Sequence, residues 1–310
     1  MKVHEEVPEA LAGERIDRVM AMLTGRSRAE VAGLIDAGIV LVGGSPATSR
    51  STRVRVGDVI EADVPEVDVE ADMVPEPSID VPIVHSDEHL LVVDKPAGLV
   101  VHPGAGQRRG TLVHALLASH PEIRGIGGDP TRPGIVHRLD KGTSGLLLVA
   151  RTQLAYDALV SALSERRVHR RYRTLVWGTV AAARGLIDAP IGRSTREPTL
   201  MAVAERGKEA RTRYEVLTTY VEPVAVTELA CTLETGRTHQ IRVHLQSIGH
   251  AVVGDLRYHG ARQSLPFHRP ALHAELLELA HPVTAEPLSF TSELPDDLAE
   301  LLSRLSSAAS

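Results

Sequence analysis

The chain has 310 residues, a formal net charge of -6, 43% hydrophobic and 24% charged residues, and one cysteine. That length suits two modules with enough apolar surface to fold without disulfides or a structural metal, and the composition excludes disorder, collagen and coiled coil for the whole chain. Cys231 alone cannot form an intramolecular disulfide or a cysteine zinc site.

Met1 to Leu11 carries three glutamates and lacks the apolar stretch of a signal peptide. The apolar runs are too short to cross a bilayer, so a cytoplasmic protein is expected. Ile16, Val19, Met20 and Leu23 recur at helical spacing, and Val31, Leu34 and Ile35 follow after Ser27. Gly38 closes this second helix. Val40–Val42 with Gly43-Gly44 reads as strand and turn, and Val54, Val56 and Val59 around Gly57-Asp58 read as a further strand pair. Residues 13–62 therefore form a small α/β unit. Residues 63–82, with Pro65, Pro75, Pro77 and Pro82, are expected to be an extended acidic linker.

Residues 83–305 form the larger unit. Strand signals dominate it, at Leu90–Val93, Gly145–Ala150, Tyr172–Val180 and Val226–Leu233, with helical stretches at Thr111–His120 and Gln153–Glu165. No regular βαβ repeat appears, so the expected class is α+β with a mixed, largely antiparallel sheet flanked by helices. Ser306–Ser310 is expected to fray.

Charge is unevenly spread. Residues 61–90 hold ten acids and no Lys or Arg, and the rest of the chain sums to +4. An anionic partner is thus allowed, not implied. Thirty of the 34 basic residues are Arg, a residue suited to bidentate phosphate contacts.

Three clusters could carry chemistry. His137-Arg138-Leu139-Asp140-Lys141-Gly142-Thr143-Ser144-Gly145 runs into an apolar strand. A carboxylate between cations on such a loop is well placed to reach a substrate, and a plain surface ion pair is the other reading. Arg170 to Gly178 alternates so that Tyr172, Thr174 and Val176 share one face; Tyr172 is then either a structural tyrosine or a site residue. Thr235-Gly236-Arg237-Thr238-His239-Gln240-Ile241-Arg242-Val243-His244 crowds polar groups after a strand, suiting phosphate or base contacts or an exposed helix start. His239 and His244 lack the i, i+4 spacing of a helical zinc pair, so no metal is expected. No phosphate loop, dinucleotide fingerprint or nucleophile elbow is present.

The nine residues His137 to Gly145 resemble the signature loop of the RluA-type pseudouridine synthases. Asp94-Lys95-Pro96-Ala97-Gly98 with Val101-His102-Pro103, then Arg171-Tyr172-Arg173, then Thr235 to His244 also stand in that family's order. Residues 13–62, with Arg15-Ile16-Asp17-Arg18, Ser27-Arg28 and Val56-Gly57-Asp58, look like an S4 RNA-binding domain, although Val42-Gly43-Gly44 replaces the usual Val-Asn-Gly and suggests a looser turn. The stretch Lys95 to Gly104 is most similar to the RluD branch, which modifies large-subunit (23S) ribosomal RNA.

This resemblance implies Asp140 as nucleophile, Tyr172 stacked on the target base and helping to remove its C5 proton, and Arg242 paired with Asp140. It implies Arg138 in the gap left by a flipped uridine, and RNA contacts from Arg15, Arg18, Ser27, Arg28, Arg53, Arg237 and His239. Isomerising uridine gains and loses no atom, so no cofactor or metal is expected. The expected partner is large-subunit ribosomal RNA or its assembly precursor, met by a monomer away from any membrane. Action on transfer RNA or another ribosomal site, and a noncatalytic S4-type RNA-binding protein, are the alternatives.

Overall fold

The computed structural model describes residues 1–26, 28–65, 73–104, 107–197 and 199–308. The chain divides into two compact units, one of residues 1–72 with 104–108 and the other of residues 73–103 with 109–310.

In the small unit β1 (Lys2–Glu6) precedes two helices, Ile16–Thr24 and Arg28–Asp36, followed by β2 (Val40–Val42), β3 (Ser45–Pro46) and β4 (Val59–Asp63). The sheet order is β1-β4-β2-β3, antiparallel throughout. Ile16, Val19 and Met20 from the first helix and Val31, Leu34 and Ile35 from the second bury their apolar stripe against it. No sequence signal marks β1, whose charged residues lack an apolar run, yet Val3 is buried. The second strand pair expected at Val54 to Val59 is a loop leading to β4: Val54 is buried, Val56 is exposed, and the Asp58 carboxylate accepts the Arg55 N–H at 2.7 Å. The Gly43-Gly44 turn is tight rather than loose. Both residues have positive φ, 59° and 77°, and Val42 pairs directly with Ser45, which is the two-residue hairpin that suits strand twist.

The expected linker is shorter than 63–82. Val64 belongs to the small core, while Met73 belongs to the large one. Glu76 then caps the large unit: its carboxylate accepts the Gly110 N–H at 3.0 Å and its own N–H donates to the His114 carbonyl at 2.9 Å. Residues 66–72 lie outside the described set.

The large unit is built on β5 (Ile83–Ser86), β6 (Leu90–Lys95), β7 (Ser144–Ala150), β8 (His169–Trp177), β9 (Arg184–Asp188), β10 (Ile191–Arg193), β11 (Met201–Val203), β12 (Arg211–Tyr220), β13 (Val226–Leu233), β14 (Leu272–Ala280) and β15 (Pro287–Thr291). Nine strands form one sheet in the order β5-β6-β7-β14-β8-β13-β12-β9, with β15 also on β14. Only the β7–β14 pairing is parallel; β10 and β11 pair apart. The fold is therefore mixed α+β. Helices Leu112–Ser119, Gln153–Ser164, Gln240–Ser247 and Asp296–Ala308 complete the unit. Every residue of β7 is buried, which explains its uninterrupted apolar run, and each fully buried Leu146, Leu147 and Leu148 contributes about 1.5–3 kcal/mol. The C-terminal helix continues through Ser306 to Ala308 instead of fraying, since Leu301 and Leu305 are buried and the Ser306 hydroxyl bonds the Leu302 carbonyl. Ala309 and Ser310 are outside the described residues.

Candidate active site

The His137–Thr143 loop enters β7 held from several sides. The His137 Nε2 accepts the Leu148 N–H at 2.9 Å, the Gly98 N–H donates to the Lys141 carbonyl at 2.7 Å, and Leu139 is buried as an anchor. The Thr143 N–H donates back to the Asp140 carbonyl at 3.0 Å, closing a tight turn. Asp140 is thereby held at the mouth of the sheet with its carboxylate partly exposed.

Its partner comes from 102 residues away. Arg242, on the Gln240–Ser247 helix, donates through Nη1 to Asp140 Oδ2 at 2.9 Å. The same guanidinium is 5% exposed and donates Nε and Nη2 to Asp255 at 2.6 and 2.8 Å. Burial disfavours its charge, but the hydrogen bonds to Asp255 and the charges of both aspartates outweigh that and raise its pKa. Arg242 is a fixed cation, locked by one carboxylate and presented to the other. The guanidinium that bonds Asp140 is therefore brought by the fold from a distant helix, and the loop's own sequence offers only the neighbouring cations Arg138 and Lys141.

His239 sits before that helix in the left-handed region, at φ 58°. Its Nε2 is 3.9 Å from Asp140, its Nδ1 is 2.7 Å from the Tyr258 hydroxyl, and burial lowers its pKa, leaving a neutral ring beside the carboxylate. Tyr258 also lies under Arg242, 4.9 Å from guanidinium carbon to ring centroid. Tyr172, on β8, is 5% exposed and faces inward as alternation implies. Burial raises its pKa, opposed by Arg170 and aided by Asp140, so its hydroxyl keeps its proton at neutral pH.

Asp140 and Tyr172 both line two adjoining cavities. One, of about 50 Å³, includes Thr143, Arg242 and Leu272. The other, of about 370 Å³, includes His137, Arg138, Arg170 and Arg237. The second lies within the roughly 300–1,000 Å³ typical of small-molecule sites.

Beneath the loop, Lys95 is fully buried and donates Nζ to the carbonyls of Pro96 and Leu99 at 2.8 and 2.9 Å. Burial, only partly countered by the charge of Asp140, brings its pKa down to about 7.

The structure brings Asp140, Tyr172 and Arg242 to one cavity, beside Asp255, Tyr258 and Lys95, which sequence reasoning did not single out as site residues. Asp255 ends the apolar run Val252-Val253-Gly254, the kind of strand-end carboxylate that could have flagged it. Arg138 and Arg237 are exposed at the larger cavity, Arg237 donating Nε to the Glu209 carbonyl at 2.9 Å. In the small unit Arg15 and Arg28 converge on buried Asp17, Arg18 pairs with Glu14 at 2.9 Å, and Arg53 donates to the Gly13 carbonyl. Burial opposes ionisation of Asp17, yet bonds from both arginines keep its pKa below the usual value. Ser27 lies outside the described residues.

Comparison with known proteins places this geometry. Residues 89–247 match the RNA pseudouridylate synthase family and residues 14–60 match the S4 domain. An uncharacterized RNA pseudouridine synthase of Bacillus subtilis is 42% identical, covering 96% of each chain. The ribosomal large subunit pseudouridine synthase D of Pseudomonas aeruginosa is 44% identical over 97% of this chain and 94% of its own, and that of Xanthomonas campestris is 43% identical over 96% and 91%. Among solved structures, human RNA pseudouridylate synthase domain containing 1 superposes with a TM-score of 0.57 at 28% identity, covering 75% of this chain and 87% of its own. The chain belongs to the RNA pseudouridylate synthase family and carries an S4 domain at its N-terminal end.

Proposed function

We propose that this enzyme converts specific uridines of large-subunit (23S) ribosomal RNA to pseudouridine, with Asp140 as the group that engages the sugar. The observation that carries the chemistry is Asp140 held at 2.9 Å by the locked Arg242, opening with Tyr172 onto one cavity. The ribosomal target is supported by relatives named ribosomal large subunit pseudouridine synthase D, which align over nearly the whole chain.

In this reading the target uridine leaves its stack, at a cost of a few kcal/mol, and Arg138 fills the gap. Arg138 is exposed and has no hydrogen-bond or ionic partner among the described residues. The N1–C1′ bond breaks and its electron pair stays with the uracil. Two routes balance the sugar: Asp140 forms a bond to C1′, or Asp140 takes the C2′ proton to give a glycal. The uracil turns, C5 bonds to C1′ as Asp140 is released or returns its proton, the C5 proton departs with help from Tyr172, and N1 is protonated. Neutral Tyr172 stacks on the base and relays a proton rather than carrying a charge.

The S4 unit, residues 13–62 in this reading, anchors the RNA through Arg15, Arg18 and Arg28, whose ion pairs leave exposed guanidinium surface for phosphates, and through exposed Arg53, which donates to the Gly13 carbonyl. No helix among the described residues is long and apolar enough to cross a membrane, and the proposed setting is the cytoplasm, with the enzyme acting as a monomer without a cofactor. The test is a pseudouridine map of large-subunit ribosomal RNA from cells lacking the protein, rescued by wild type or by Asp140→Asn. Specific sites should vanish and return only with wild type. Persistence of every site would remove the ribosomal assignment.

A further inference from the structure

The larger cavity contains a cation that the reaction scheme has not used. Arg170 precedes Tyr172 by two positions on β8, so both side chains stand on the same buried face. Arg170 is 6% exposed and lines the cavity with Asp140 and Tyr172. Its Nε is sealed from water without a partner, and no carboxylate or carbonyl among the described residues meets its terminal nitrogens. Gly236 leaves room for them: a Cβ there would stand 3.0 Å from Nη1.

An unpaired buried charge is costly, and one that a fold retains beside a cavity calls for an anion from outside the chain. The neighbouring ring cannot serve. His137 Nε2 already accepts the Leu148 N–H, so its Nδ1 carries the proton, and that atom too is sealed without a partner. Burial, reinforced by Arg170, lowers the His137 pKa to about 3, so the ring is neutral and adds no second charge.

Two anions could come with the RNA, a phosphate or the detached uracil. Arg132, Arg138 and Arg237 line the same cavity and are exposed, as phosphate ligands in water should be. Arg170 is buried among the same lining residues, next to the tyrosine that meets the base. We infer that Arg170 binds the acceptor edge of the uracil and stabilises the anion formed when the N1–C1′ bond breaks, keeping the base in the cavity until C5 bonds to C1′. The electron pair that leaves C1′ resides on N1 and the carbonyl oxygens of the ring. Arg170 forms hydrogen bonds to that charge, transfers no proton, and releases it when the pair returns to C1′ through C5. This assignment rests on the pseudouridine synthase reading above.

The test uses the full chain and an unmodified large-subunit ribosomal RNA transcript carrying tritium at uridine C5. Tritium release, free uracil and KM are measured for wild type, Arg170→Met, Arg170→Gln and Arg170→Lys. Arg170→Met should lower kcat about 10²-fold, as removal of a donor to a developing anion does elsewhere. KM should stay within about twofold, and free uracil should appear beside the slowed product. Arg170→Lys should recover part of kcat, and Arg170→Gln, which keeps donors without charge, should not. An unchanged kcat with weaker RNA binding and a salt dependence reduced by about one phosphate would assign Arg170 to the backbone and overturn the inference. If Arg170→Met melts early, Arg170→Gln decides: a folded Gln variant with wild-type kcat overturns it, and a folded Gln variant with low kcat upholds it. If wild type releases no tritium from this transcript or from transfer RNA, the functional reading itself fails.

Discussion

Asp255→Asn is the substitution whose outcome the geometry specifies most fully. Asp255 Oδ1 accepts from Arg242 Nη2 at 2.8 Å and from the backbone N–H groups of Arg257 and Tyr258 at 3.0 and 3.3 Å, while Oδ2 accepts from Arg242 Nε at 2.6 Å. The single carbonyl oxygen of Asn can retain the first three bonds. Its amide nitrogen must then face the Nε–H, donor against donor. Arg242 also loses its fully buried counter-charge and keeps one anionic partner, Asp140. Breaking a buried pair costs about 3–5 kcal/mol, and with Asp140 still present the loss should lie near the lower limit, about 3 kcal/mol. Trp177, the chain's one tryptophan, donates Nε1 to the Gly260 carbonyl at 2.7 Å on the loop that holds Asp255, so its fluorescence reports this region of the large unit. In urea, about 3 kcal/mol corresponds to a midpoint lower by roughly 1–3 M. Below that midpoint, kcat for tritium release should fall about 10²-fold, the effect of a displacement near 1 Å in a reacting group. A variant with the wild-type midpoint and wild-type kcat would refute the argument that Asp255 positions Arg242.

Tyr172→Phe should keep the aromatic face but lower kcat about 10²-fold or more, read by tritium release, with RNA binding by filter retention unchanged. Arg138→Ala removes an exposed side chain and should leave the unfolding free energy within about 0.5 kcal/mol while slowing turnover on duplex-flanked uridines more than on single-stranded ones. Lys95 gives a pH test. Its folded pKa is about 7 against an ordinary 10.5, so the unfolded chain binds the extra proton between those values. The stability linked to Lys95 is therefore complete above about pH 10.5 and is lost as pH falls toward 7, with a slope of at most about 1.4 kcal/mol per pH unit. Relative to Lys95→Met, wild type should gain stability from pH 7 to 9.5 in parallel urea titrations; curves that stay parallel contradict the buried, proton-shedding lysine.

The large sheet was legible in the sequence where burial is complete. The runs at β6, β7 and β13 stand out because both faces of those strands are covered, and covered strands keep few polar residues. Strand β1 was illegible for the opposite reason: one buried valine among charged residues leaves no periodic signal, and its pairing with β4 spans more than fifty positions. The acidic segment misled in another way. Composition records the average of a stretch, whereas Val64 and Met73 pack as individuals into separate cores.

The site was legible to a different depth. Asp140, Tyr172 and Arg242 lie in dense motifs, and what those motifs could not convey is how many partners each residue has. Arg242 has two carboxylates and Arg170 has none among the described residues, although both are buried arginines of one unit. That difference depends on Asp255 returning to the Gln240–Ser247 helix through a loop and on no acid returning to β8 beside Arg170. It is therefore a property of the fold. A cation with a surplus of acid beside it is held in place, and a cation with none is available to a ligand. In the proposed reaction one cleft thus holds a fixed charge that orients Asp140 and a second charge that faces the uracil anion, an arrangement that suits a glycosidic cleavage that must retain its leaving group.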